Sequence, residues 1–148
     1  MVQRLSVIRR RKLLKLLLVI LVAALAVLLI VRLAKGRPSQ VIRASTNEER
    51  VTYLSSLGYE TDPLPLTEQV ITLPKVFPEA LKNYNDLQKN QGFDLERFAG
   101  REITMYTYRI KNYDAEGEVQ CSMYVYRNRL IGGDIHSTAF DGFMIELR

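Results

Sequence analysis

Residues 103–110 read Ile103-Thr104-Met105-Tyr106-Thr107-Tyr108-Arg109-Ile110, and residues 119–126 read Val119-Gln120-Cys121-Ser122-Met123-Tyr124-Val125-Tyr126. Both runs are rich in β-branched and aromatic residues and alternate with period 2, the pattern of half-buried strands. A third run, Leu130 to Ile135, follows Arg127-Asn128-Arg129, while Asn112 to Gly117 separates the first two; Gly117 and Asn128 both tolerate φ > 0. Three antiparallel strands are predicted. Parity fixes their pairing: with Tyr106, Tyr108 and Ile110 on the face of Val119, Cys121, Met123 and Val125, the residues Thr107, Arg109 and Lys111 join Gln120 and Ser122 on the other. Gly132-Gly133 marks a bulge or a close backbone approach, which leaves the facing of the third strand open.

Upstream of these runs the period changes. Thr46-Asn47-Glu48-Glu49 has the form of a capping box, followed by Val51, Leu54 and Leu57 at near-helical spacing and by Gly58 as a stop. Tyr59 to Leu66 is punctuated by proline and extended, and Val70 to Leu73 is a β-prone run ended by Pro74. A second helix is expected from Pro78 to Gln91, with Leu81, Tyr84 and Leu87 on its inner face and Gly92 after it. The expected fold is α+β, with two helices on one face of a three- to four-stranded antiparallel sheet. The fourth strand would come from Val70–Leu73 or from Thr138–Leu147.

The charge is unevenly placed. All nine charged residues among the first 37 are basic, and the acidic residues all lie beyond them, so residues 38–148 carry 12 minus 16, or −4. The basic balance therefore says nothing of nucleic acid, and no nucleic-acid partner is expected. Leu16 to Val31 is apolar without interruption, and from Leu13 the run covers 19 residues, enough at about 1.5 Å each to cross about 30 Å of hydrocarbon. Lys15 lies close enough to the end to lift its ammonium to the headgroups. The apolar run exceeds the roughly 7–15 residues of a signal peptide, and Arg32 stands where cleavage before Lys35 would want a small residue.

The expectation is an uncleaved single-pass anchor at 13–31. Residues 1–12 would form a short basic cytoplasmic tail, 32–45 a linker and 46–148 an extracytoplasmic domain. Six basic residues before or inside the span against four after it favour this orientation in the cell membrane. The lone Cys121 cannot make an internal disulfide and is expected to be buried and inert.

On the second helix Asn85, Gln88 and Gln91 recur every three residues and end near Asp94. If exposed, this stripe suits a neutral peptide or sugar; if buried, the amides bond their own domain and Asp94 caps a short turn over Leu95–Ala99. Tyr124 and Tyr126, outward in the preferred register, form a second candidate contact patch, while Tyr106 and Tyr108 point inward.

Asp134, His136 and Ser137 resemble a hydrolytic set only loosely. Asp134 and His136 share a strand face, Ser137 points the other way, and no Gly-x-Ser-x-Gly elbow occurs. One histidine and one cysteine make no conventional zinc set, and the spacing of a calcium loop is missing, so neither metal nor cofactor is expected. Gly132-Gly133-Asp134-Ile135 matches the signature of cyclic-dinucleotide synthases only superficially. A domain of this size outside the cytoplasm would lack the nucleotide.

The order Tyr53-Leu54, Leu57-Gly58-Tyr59-Glu60, Pro74-Lys75-Val76-Phe77, Tyr84-Asn85-Asp86-Leu87-Gln88-Lys89-Asn90-Gln91-Gly92-Phe93-Asp94-Leu95, Tyr106-Thr107-Tyr108 and Ile131-Gly132-Gly133-Asp134-Ile135 resembles an uncharacterised bacterial family, the domain of unknown function numbered 4830. The resemblance covers about residues 47–147, and its most specific piece is Tyr84 to Leu95. It implies a fold unit and a place in short membrane-anchored proteins of Gram-positive bacteria, and it implies no activity. The residues themselves favour a binding or assembly module of the envelope over an enzyme, with membrane lipid around 13–31 and an envelope protein, peptide or sugar as partner. An envelope-polymer hydrolase or a purely structural membrane-proximal domain is the alternative.

Overall fold

A computed structural model of the chain describes Val22 and residues 41–148. Apart from Val22, the expected span at 13–31, the tail before it and most of the linker lie outside the described residues. Among the described residues no helix is long and apolar enough to cross a membrane.

The domain opens with α1 (Asn47–Ser56) and continues through β1 (Thr67–Thr72), α2 (Glu79–Asn90), a 3-10 turn (Leu95–Phe98), β2 (Glu102–Arg109), β3 (Val119–Tyr126), β4 (Arg129–Ser137) and β5 (Met144–Glu146). The five strands form one antiparallel meander in chain order. Both stretches considered for a fourth strand are used, Val70–Leu73 within and just after β1 and Thr138–Leu147 around β5, so the sheet is wider than expected. The capping box is present: Glu49 N–H donates to Thr46 Oγ1 (3.2 Å) and the Glu49 carboxylate accepts from Thr46 N–H (3.3 Å). Gly58 at φ +90° and Gly92 at φ +83° follow the two helices in the left-handed conformation that ends helices at glycine. Arg127 and Asn128, with φ of +46° and +66°, make the two-residue turn between Tyr126 and Arg129.

The register follows the parity argument. Tyr106 faces Met123, Tyr108 faces Cys121, and Thr107 and Arg109 face Ser122 and Gln120. Strand β4 completes the pattern, with Ile135 opposite Cys121, Gly133 opposite Met123 and Asp134 opposite Ser122. A register shift opposite Tyr124 and Val125 leaves Ile131 as the extra residue of a bulge just before the glycine pair.

The helices do not share a face. Helix α1 covers the main core with Leu54, over Tyr106, Tyr108, Ile110, Val119, Cys121, Met123, Val125, Ile135 and Leu147. Helix α2 and the 3-10 turn cover the other side, where Leu81, Tyr84 and Leu95 meet Ile103, Ile131, Tyr124 and Tyr126. The expectation of two helices on one face is corrected accordingly: tyrosines alternate with small apolar residues along β3, so both sides of the strand carry enough apolar surface to need a cover.

One buried cation belongs to the frame. Arg50 is 5% exposed, its Nε donates to Tyr108 Oη at 2.8 Å, Nη1 donates to the carbonyl of Ala44 at 3.0 Å, and its guanidinium lies 3.5 Å from the centroid of Tyr106. Aromatic stacking and neutral acceptors replace water around it. The contact fastens the segment entering the domain to the sheet.

Candidate functional site

Helix α2 turns its amides inward. Asn85, Gln88 and Gln91 are 1%, 0% and 7% exposed, whereas Leu81, Tyr84 and Leu87 are half-buried. Leu81, Tyr84, Asn85, Gln88 and Gln91 follow the i, i+3, i+4, i+7 spacing of one buried helix face, with amides in positions usually held by leucine. What they meet is backbone. The ladder between β4 and β5 stops at Asp134 opposite Glu146, and beyond it two side-chain amides continue the pairing. Gly133 N–H donates to Gln88 Oε1 (2.8 Å), while Gln88 Nε2 and Gln91 Nε2 donate to the Gly133 carbonyl (3.0 and 2.8 Å). Gln91 Oε1 accepts from Leu147 N–H at 3.0 Å. A primary amide has the donor and acceptor of a peptide group, so it can substitute for a strand residue.

The glycine pair makes room for this arrangement. A Cβ on Gly132 would lie 2.8 Å from Leu95 Cδ2 and 3.0 Å from Gln88 Oε1, and one on Gly133 would lie 2.6 Å from Leu147 Cδ2 and 2.7 Å from the Ser122 carbonyl. Close approach, beside the bulge, is what both positions require. Asn85 closes the neighbouring loop: its Nδ2 donates to Asp94 Oδ1 (2.9 Å) and its Oδ1 accepts from Leu95 N–H (2.7 Å). Asp94 takes the N-cap position of the 3-10 turn, as expected, but its side chain makes no cap bond; Asn85 supplies that bond and holds the Asp94 carboxylate. As a ligand-binding stripe Asn85, Gln88, Gln91 and Asp94 are corrected, because burial and these bonds occupy the amides inside the domain.

Next to the amides lies a chain of titratable groups. Asp134 is 1% exposed; its Oδ2 accepts from Tyr84 Oη at 2.5 Å and its Oδ1 lies 2.7 Å from His136 Nδ1. Tyr84 meets Tyr124 edge to face with centroids 6.1 Å apart. Burial, reinforced by Tyr124 and by Asp134, holds the Tyr84 phenol far above its ordinary range, and burial pushes Tyr124 up to about 12. The hydrogen bond to Asp134 raises the pKa of His136 against a smaller opposing effect of burial. The carboxylate fixes the proton on Nδ1, which leaves the lone pair of the neutral ring on Nε2. Such a pair can move a proton or hold a donor. Ser137 takes no part, since its Oγ donates to the Glu116 carbonyl and accepts from Ala139 N–H. Cys121 lies on the opposite face, fully buried, and burial holds its thiol well above the ordinary range.

Tyr124 and Tyr126 are not an outward patch. Both are half-buried under α2 and the 3-10 turn, Tyr126 against Phe98 at 5.3 Å between centroids. Among the described residues no group of three or more His, Cys, Asp and Glu side chains is arranged to hold a metal ion.

The surface that does stand open is β1. Among the described residues it pairs with β2 alone, and five of its six residues are exposed, Val70 at 63%. Leu73 N–H donates inward to the Arg101 carbonyl, so by alternation the N–H and C=O groups of Glu68, Val70 and Thr72 point away from the sheet. The flanking Leu64 and Val76 are also exposed. The β-prone run was legible in sequence. Its place at an edge was not, because that depends on which strand lies beyond β2.

No curated protein and no solved structure matches the chain. A family model described as a domain of unknown function, DUF4830, matches residues 54–135, from the middle of α1 to the Asp134 strand. The match covers more than half of the sequence and takes in α2 with its amides, the glycine pair and four of the five strands. The chain belongs to the DUF4830 family.

Proposed function

We propose that this protein is a membrane-anchored, extracytoplasmic binding or assembly module of a bacterial envelope, and that it takes its partner as an added strand along β1. The observation that carries the reading is the open edge. A six-residue strand without lysine or an internal proline presents outward peptide groups at Glu68, Val70 and Thr72, beside exposed Val70. Protein edges are ordinarily shielded by charge, proline or a covering element, and an unshielded one is a template for an extended peptide. With Glu68 as the sole charge on the strand, the fitting partner is an extended segment that is neutral or basic. The apolar run at 13–31 and its basic flanks support the anchor and its orientation.

A photo-crosslinking residue at position 70 of the full-length protein, in membranes, tests the reading. A discrete adduct with one protein is expected. The absence of any adduct at 70, with the protein folded and abundant, would overturn strand capture.

A second reading has its own observation. The Asp134–His136 pair at 2.7 Å is the arrangement of a general base, and an envelope-polymer hydrolase would use it to activate water. His136→Ala decides: a lost cellular phenotype with intact folding would favour the hydrolase, and unchanged behaviour would leave the binding module.

A further inference from the structure

The charges of the folded domain are sorted by end. One end of the sheet comprises the β3–β4 turn, the start of β2, the 3-10 turn and the C-terminus, and it carries Arg43, Arg97, Arg101, Arg127, Arg129 and Arg148. Among the described residues none of the six makes an ion pair; the acids at that end are Asp94, whose Oδ1 is held by Asn85, Glu96, which pairs with Lys89, and Glu102, and Glu49 lies near enough to feel the charge of Arg43. At the opposite end lie Glu60, Asp62, Asp114, Glu116, Glu118 and Asp141, where the two cations Arg109 and Lys111 are both paired to acids. A domain that is acidic as a whole thus has one arginine pole.

Two further observations bear on that pole. Arg97 and Arg129 line a shallow cleft of about 80 Å³ with Gly92, Phe93, Ile131 and one acid, Asp94, and Arg148 lies over the Phe93 ring at 4.5 Å. The chain also enters the domain here: Leu130 N–H donates to the Ile42 carbonyl, Ala44 N–H donates to the Asn128 carbonyl, and Arg43 bridges Arg129. Nine residues, Arg32 to Gln40, separate the apolar run from Val41, a reach of about 30 Å at full extension, and three of them are basic.

We propose that the arginine pole docks on the phosphate groups of anionic lipids, an inference that rests on the anchored reading above. Guanidinium forks match phosphate oxygens bidentately, and arginine is weakly hydrated, so it exchanges water for phosphate readily. Attraction to a charged surface decays over a Debye length of about 8–10 Å, so the pole gains from being tethered within a short linker's reach. Docking directs the acidic pole away from the lipid and leaves β1, which runs between the poles, accessible from the side.

The test uses the full-length protein in nanodiscs of phosphatidylcholine alone or with one third phosphatidylglycerol. Energy transfer to a headgroup-labelled lipid is read from a dye at Val76→Cys near the arginine pole or at Phe140→Cys near the acidic one. Both sites are exposed, Val76 at 82%, while native Cys121 is buried. The docked domain should transfer at least twofold more from position 76 in anionic than in neutral discs. The excess should vanish in 0.5 M salt and in the folded triple variant Arg97→Gln, Arg127→Gln, Arg129→Gln, with no such change at position 140. Equal transfer in the two lipids, or an excess that survives the triple variant, overturns docking. Release of the protein from neutral vesicles by alkaline carbonate would instead refute the anchor.

Discussion

The two edges of the sheet are treated in opposite ways. At β5 the ordered strand is three residues long, and where it ends Gln88 and Gln91 reach across from α2 and bond Gly133 and Leu147, so the ladder finishes on side chains. At β1 six residues run with one flank bare among the described residues. The β4–β5 ladder is therefore finished by buried amides and leaves only the three residues of β5 as an edge, whereas β1 presents a six-residue flank that nothing among the described residues covers. Closing an edge with side chains places polar groups in a core where each must be bonded, whereas an open edge places peptide groups in water at no such cost. Damage to the closed edge should appear as lost stability, and damage to the open edge as a lost partner.

The largest effect belongs to Gln88→Ala. Removing the amide orphans the buried Gly133 N–H and leaves a void against Gly132, which together should cost about 2–4 kcal/mol. For a domain of about 100 residues that lowers the melting temperature by roughly 10 °C or more, as read by circular dichroism of the full-length protein in detergent. A change under about 1 kcal/mol would mean that water replaces the amide and that the edge is closed less tightly than its geometry implies.

Tyr84→Phe should come second. Its hydroxyl is one of the two side-chain donors to the buried Asp134, and its loss should destabilise by about 1–3 kcal/mol while the ring keeps its packing on Tyr124. Chemical denaturation measures this. A neutral result would show that Asp134 recruits another donor once the phenol is gone.

The closed edge also shows where sequence reasoning stops. The capping box at Thr46, the strand runs, the Arg127–Asn128 turn and the pairing of Tyr108 with Cys121 were legible because each rests on a local pattern or on parity. The glycine pair was legible as a close approach without its partner. The orientation of α2 was not: Leu81, Tyr84 and Leu87 attract the eye as the inner stripe, yet Asn85 and Gln88 occupy the centre of the buried face. Gly133 and Leu147, the backbone partners of Gln88 and Gln91, lie 45 and 56 residues away, and no local signal marks a backbone group that needs an amide. The second core was missed for a related reason. Tyr124 and Tyr126 read as outward once the first face was filled, and only the position of α2 shows that they are covered.

A smaller effect is expected from pH. The bond to Asp134 raises the pKa of His136 above its unfolded value near 6.5, so the protonated ring is favoured in the folded state. That contribution is complete below about pH 6.5 and disappears as pH rises through the raised folded value. Stability of the wild type should therefore fall on passing from mildly acidic to mildly alkaline buffer. In His136→Asn this part of the slope should be gone. Parallel profiles for the two proteins would show that the pair does not couple to folding.

The smallest change in stability, and the one that bears on function, is expected from Val70→Lys. Val70 is 63% exposed and its peptide group points away from β2, so a lysine there breaks no bond within the domain and should shift stability by no more than about 0.5 kcal/mol. For a strand arriving from outside, the same ammonium sits on the template itself, where lysine is the residue that ordinarily guards edges. Capture of the partner should fall severalfold or more while the melting temperature stays put. Gln88→Ala should do the reverse at temperatures where the variant is still folded, leaving capture intact while lowering the melting temperature. If Val70→Lys leaves capture unchanged, the partner does not use the edge, and the contrast between the two sides of the sheet concerns folding alone.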